Sequence, residues 1–157
     1  MTMTMACAAL LLSSSMLAST AAPLPRFPIA PGVSMPALSE GRDHDSGAKG
    51  VAASLEFWLR RGGEGVDTAA DYRNQPEVGR AVAAAQAAGA SRRSIFVTSK
   101  ILGFKPSSAV CTAEGALAAV KADLKALKLS DNRLDLVLQH FPCSTAQQNQ
   151  GARAAPV

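Results

Sequence analysis

Aromatic side chains are scarce in this chain of 157 residues, which has one Tyr, one Trp and five Phe. So few rings leave no stacking platform for single-stranded nucleic acid, and the Lys and Arg behind the net charge of +4 are scattered rather than clustered. A nucleic-acid partner is therefore not expected. Cysteine is as rare: Cys7, Cys111 and Cys143 are too few and too far apart for a zinc site, and no metal is expected. With Cys7 in a leader, Cys111 and Cys143 remain; they read most simply as two unpaired thiols acting as small hydrophobes, with pairing in an oxidising lumen as the alternative. Glycosylation sequons are absent, so nothing of that kind supports secretion. No apolar run approaches the ~20 residues needed to cross a bilayer, which argues against a membrane partner.

What the chain does have is enough apolar material for one core, with 48% hydrophobic and 18% charged residues. Residues 1–22, "MTMTMACAALLLSSSMLASTAA", carry no charge, hold a short apolar centre at Ala8 to Leu12 and end in small residues. Ser19 and Ala21 fit a small-x-small rule, so residues 1–21 read as a signal peptide cleaved after Ala21, placing the protein in the secretory pathway. A disordered leader on a cytoplasmic protein and an organelle transit sequence are the alternatives. Residues 22–142 would form the domain, and "CSTAQQNQGARAAPV", residues 143–157, reads as a disordered tail.

Periodicity divides the domain. "FPIAPGVSMPAL" suits a strand pair with Gly32 in the turn. Val51, Leu55, Trp58 and Leu59 recur at helical spacing up to "RRGG". "EGVDTA" is a short strand. Pro76 fits a helix's first turn, and Val78, Ala81, Val82, Ala85 and Ala88 make one small-residue face before Gly89. "SIFVTSKI" is a buried strand, and Leu117, Val120, Leu124 and Leu127 mark a third helix whose Lys121, Lys125 and Lys128 form a solvated face. "LDLVLQH" reads as a parallel strand covered on both sides. Helix and strand alternate, so the fold class is α/β, with about four parallel strands backed by three main helices.

Asp67, Lys100 and His140 each fall at or beside the C-terminal end of one strand. Taken singly, these are a helix-approach cap, a solvated strand end and a satisfied histidine. Parallel strand ends share one rim, however, and in α/β barrels that rim carries the chemistry. Tyr72, the only Tyr, stands five residues after Asp67 at a helix entrance. A phenol is a poor acid at neutral pH unless a nearby cation stabilises the phenolate. Lys100 suits that part, Asp67 would hold the ammonium, and His140 would donate to an oxygen that becomes negative. Such a set favours reactions that build negative charge on a carbonyl oxygen.

These residues resemble a known family. "GVDTAADYRNQPEVGRAV" is similar to the aldo-keto reductase pattern of Asp-Thr-Ala, then Tyr, Asn and Val-Gly. "SIFVTSKI" resembles that family's strand ending in Lys, "LDLVLQHFP" its strand ending in His, and "PGVSMPAL" its N-terminal hairpin. The similarity covers residues 27 to 142. It implies a partial (β/α)8 barrel, about the first four β/α units. It also implies NADP(H)-dependent reduction of a small aldehyde or ketone, with Tyr72 as general acid, Asp67 and Lys100 tuning it, His140 orienting the carbonyl, and Asp67 also meeting the cofactor.

The departures are three. "ALSEGRD" keeps Gly41 but puts Arg42 where the family has Thr, which affects the ribose contact. Gln75 replaces a usual Glu, read as the minor loss of a first-turn charge. A (β/α)8 barrel takes about 250 residues, so half is expected to be missing, the chain alone to have little or no activity, and its open strand edges to invite self-association. The rival readings are a non-catalytic pseudoenzyme or binding protein of the same fold, and a basic interaction protein using the three lysines.

Overall fold

A computed structural model of the protein describes residues 24–41, 43, 47–101 and 111–143. The leader at 1–21, Arg42 and positions 144–157 of the expected tail lie outside the described residues. Strands β1 (Arg26–Ala30) and β2 (Val33–Pro36) pair antiparallel with Gly32 in the turn, as their sequence predicts. Strands β3 (Ser39–Gly41), β4 (Gly65–Asp67), β5 (Phe96–Ile101) and β6 (Leu136–Gln139) then lie side by side in chain order in one parallel sheet.

Parallel neighbours need a crossover between them. Three helices supply it: α1 (Gly47–Arg60), α2 (Gln75–Ala87) and α3 (Ala113–Leu127). This is α/β architecture and a partial (β/α)8 barrel of four strands with three intervening helices. β3 had no signal in the hydrophobic pattern, because it is three residues long, mostly exposed and held by its ladder to β4. No helix among the described residues is long and apolar enough to cross a membrane.

The core lies on one face of the sheet. Val51, Leu55 and Leu59 of α1, Val78, Ala81, Val82 and Ala85 of α2, and Leu127 of α3 close over Val66 and Val97. Each fully buried Val or Leu contributes roughly 1.5–3 kcal/mol relative to exposure. Gly79 permits the closest helix approach, since a Cβ there would come within 1.9 Å of the Leu127 carbonyl oxygen. Side chains alternate along a strand, so Val66, Val97, Ser99 and Ile101 turn toward the helices. Asp67, Thr98 and Lys100 turn the other way.

Several expectations are corrected. Ala88 caps α2 and is exposed rather than part of its inner face. On α3 the predicted apolar stripe contains an exposed Leu117, while Asp123, in the same helical row as Leu127, is 2% exposed. β6 is not covered on both sides: it is the outer strand of the sheet, and Leu138 is 40% exposed. Cys111 and Cys143 are not free thiols but a disulfide, with Cα atoms 6.1 Å apart. Cys143, expected to open the tail, is buried.

A buried arginine fixes where β6 begins. Arg92 donates to the carbonyl oxygens of Ile95 and, at 2.7 Å, Arg133. It also pairs with Asp131 at 3.1 Å and Asp135 at 3.2 Å. Asp135 accepts the Val97 N–H at 2.9 Å. The start of β6 is thereby pinned to β5 in the register that sets Lys100 beside Leu138. His140 then falls one residue past the strand.

Candidate active site

Asp67 is the last residue of β4, Lys100 the next to last of β5, and His140 follows β6, so the parallel sheet carries all three to one rim. Tyr72 arrives on the loop between β4 and α2. Thr68 extends the ladder by donating its N–H to the Thr98 carbonyl at 3.0 Å. Its hydroxyl bonds the Asn74 side-chain oxygen at 3.0 Å, and both residues are buried. The two ends of the loop are thus cross-linked. Between them the chain makes a 3-10 turn, Ala70–Tyr72, which Arg73 closes at φ 54°. Tyr72 is held over the rim by this geometry.

Lys100 is the hub. Its ammonium pairs with an Asp67 carboxylate oxygen, donates to the Thr68 carbonyl at 3.2 Å, and donates to the Tyr72 hydroxyl at 3.1 Å. An ammonium has three protons and accepts nothing. All three are therefore committed, and the Tyr72 oxygen must be the acceptor, which leaves the phenolic proton free to point at something else. The same ammonium lies 4.7 Å from the Tyr72 ring centroid, so the cation faces the ring as well as its oxygen.

His140 meets Tyr72 edge-on, with ring centroids 5.5 Å apart at 83°, and Phe141 stacks on its other side at 4.6 Å. Its backbone N–H donates to the Ile101 carbonyl at 2.8 Å. The Nδ1 atom is buried without a hydrogen-bond partner among the described residues, and the Asp71 carboxylate stands 3.9 Å away. The four predicted residues therefore come together, although Asp67 and His140 are far apart in sequence.

The rim opens onto a hollow of about 540 Å³ lined by Met35, Gly41, Asp67, Tyr72, Leu136 and Leu138 among others. Its walls mix Met35, Leu136 and Leu138 with the polar Ser39, Asp43, Asp67, Tyr72 and Thr98, a concave lining of the kind that holds small molecules. A larger hollow of about 730 Å³ lies by the hairpin, lined by Arg26, Arg92, Arg93 and Arg133. Its arginines other than Arg93 are engaged in ion pairs, and it is remote from the tetrad. The smaller hollow, which Asp67 and Tyr72 line, is the candidate site. Residues at its edge fit the sugar end of a nicotinamide nucleotide: Asp67 offers a carboxylate that is part exposed, and Gly41 keeps the space beside it bare, since a Cβ there would come within 2.9 Å of the Asp67 Cβ.

Behind β5 lies a buried polar set that the sequence reading missed. Gln75 donates to the Ser99 hydroxyl at 3.1 Å, and Ser99 donates to Asp123 at 2.5 Å. All three are buried. Gln75 is therefore not a surface first-turn position, and its departure from Glu is not minor. Asp123, four residues before Leu127 on the inward row, was the available signal.

Residues 41–154 match the model of the aldo/keto reductase family. An aldo-keto reductase of Mycobacterium marinum is 36% identical over 110 residues, covering 68% of this chain and 33% of its own length. One of Mycobacterium avium is 37% identical over 115 residues, covering 69% and 34%. The chain thus spans about a third of the length of these curated relatives. Among solved structures, a Bombyx mori aldo-keto reductase in complex with NADP superposes with a TM-score of 0.69 at 25% identity, covering 85% of this chain and 47% of that one. An aldose reductase from Schistosoma japonicum gives 0.62 at 32% identity, covering 76% and 36%.

Proposed function

The chain belongs to the aldo/keto reductase family, and from that premise we propose that it carries the proton-donating side of a site that reduces an aldehyde or ketone to an alcohol with NADPH. The observation that carries this reading is the Lys100 ammonium, 3.1 Å from the Tyr72 hydroxyl while paired with Asp67. A carbonyl bound in the hollow accepts the Tyr72 proton as charge develops on its oxygen. Lys100 stabilises the phenolate left behind, and Asp67 keeps the ammonium in place. His140 donates to the carbonyl oxygen and sets its direction. Asp67 would hold the ribose end of the cofactor. The reduced nicotinamide, when bound, supplies the hydride.

These residues provide the acid but only part of a cofactor cradle, since the chain spans about a third of its curated relatives. Holding two reactants in attack geometry accounts for roughly 7–11 kcal/mol of a barrier. The 157 residues alone are therefore expected to show little or no turnover, acting by themselves as a non-catalytic relative of the fold, with self-association through β3 and β6 as the open edges. Titrating NADPH by fluorescence and assaying aldehyde reduction checks this. Micromolar binding with turnover would mean that the chain works unaided.

The localisation reading is a secretory compartment. The Cys111–Cys143 disulfide supports it, because such bonds persist where thiols are oxidised. N-terminal sequencing of the exported protein should find Ala22 first; Thr2 at the start of the mature chain would remove the reading.

A further inference from the structure

The acid chemistry described above makes no use of the disulfide, yet the disulfide lies at the same rim. We propose that Cys111–Cys143 is a positioning clamp for His140, released when a dithiol reduces it. Cys143 is three residues past His140, and Cys111 immediately precedes Thr112, whose hydroxyl caps α3 by accepting the Gly115 N–H at 3.0 Å. The bond ties the segment leaving β6 to the head of α3.

Without it the packing there is thin. Among the described residues the local cluster has two buried members, Ile101 and Cys143, and its partly buried members include Ala116, Ala119 and Val120. Gln139 reaches the Cys143 sulfur at 3.2 Å, so the strand end also leans on the bond. His140 is fastened on one side by its N–H to the Ile101 carbonyl and on the other by the disulfide three residues on. Cutting the second fastening leaves His140 and the stacked Phe141 just past the end of an outer strand whose side chains are half exposed or exposed. The ring then loses its fixed edge-on placement against Tyr72.

The redox step balances. Cys143 is buried and Cys111 half-buried, so the thiolate of an external dithiol attacks the Cys111 sulfur. The S–S bond breaks with its electron pair on Cys143, which takes up a proton. The second thiol of the reductant then attacks the mixed disulfide, Cys111 leaves as a thiol, and the reductant closes its own disulfide. Two electrons and two protons pass to the protein. An oxidising surrounding thus keeps the site assembled, and a dithiol slackens it.

The consequence for catalysis rests on the proposed role of His140, but the clamp does not, and the test reads His140 itself. The full chain has two histidines, one Tyr and one Trp, so each gives a resolvable signal. Imidazole and phenol proton resonances are compared before and after dithiothreitol, with Trp58 emission reporting the core and mass spectrometry reporting the thiols. His140 and Tyr72 resonances should shift or broaden on reduction while the Trp58 signal holds. The Cys111→Ser/Cys143→Ser variant should give the reduced spectrum without reductant. An unchanged His140, a Trp58 shift in step with it, or free thiols at Cys111 and Cys143 in the oxidised chain would each overturn the clamp. None of these results bears on carbonyl reduction, which is tested by turnover.

Discussion

Gln75→Glu is expected to destabilise the fold by about 3 kcal/mol, although it restores the residue that the family resemblance leads one to expect. Gln75 is 6% exposed and donates to Ser99, whose own proton goes to Asp123. A carboxylate at 75 would replace that donor with an acceptor and set two buried acids around one hydroxyl. The Ser99 proton can serve only one of them. Urea denaturation reads the loss directly. The double change Gln75→Glu with Asp123→Asn removes one charge and should recover most of it, and that recovery separates the electrostatic account from a simple misfit of the new side chain. A Gln75→Glu chain within about 0.5 kcal/mol of the parent would mean the polar set contributes nothing specific.

That position also marks where reading the sequence stops. Asp67, Lys100 and His140 were legible because each ends a segment with a clear strand pattern, and parallel order alone then puts them on one rim. Tyr72 was legible from its motif, though the reason it stays there, the Thr68 bond to Asn74, is a tertiary detail. Helical period located α3 and, in Leu127, part of its inward face, but not all of it. Leu117 is exposed, and Asp123 is buried because a serine hydroxyl from β5 meets it. No pattern in α3 itself records that partner. β3 escaped notice because what holds it, a ladder to β4 and the Ser54 hydroxyl donating to Glu40, lies outside its own three residues, and the disulfide because pairing is a distance between two chain segments rather than a feature of either. Arg92 looked like one of many scattered cations until its carboxylate and carbonyl partners were assembled around it.

The second large effect concerns Tyr72. Removing its hydroxyl leaves the Lys100 ammonium, Asp67 and the fold in place, because the hydroxyl only accepts one of three protons from Lys100. What disappears is the proton delivered to the carbonyl, and a positioned general acid contributes about 10²- to 10⁴-fold. In a protein completed by the rest of the barrel, Tyr72→Phe should therefore lower kcat by that factor, with stability changed by no more than about 1 kcal/mol, the usual worth of one hydrogen bond. Lys100→Met should be as damaging to turnover by a different route. It removes the cation that makes the phenol acidic, and it also frees Asp67 and Thr68 from their shared partner.

The measurement closest to the central claim joins residues 24–143 to the remaining barrel of one of the mycobacterial relatives and follows NADPH oxidation with a small aldehyde. With Tyr72 present the joined protein should turn over, and with Tyr72→Phe the rate should fall at least 100-fold, at the lower bound of the range of about 10² to 10⁴ for a general acid, while NADPH binding stays the same. A folded joined protein that binds NADPH yet reduces nothing, or that reduces aldehyde equally well with Phe at 72, would contradict the assignment of Tyr72 as the acid of a carbonyl reductase site.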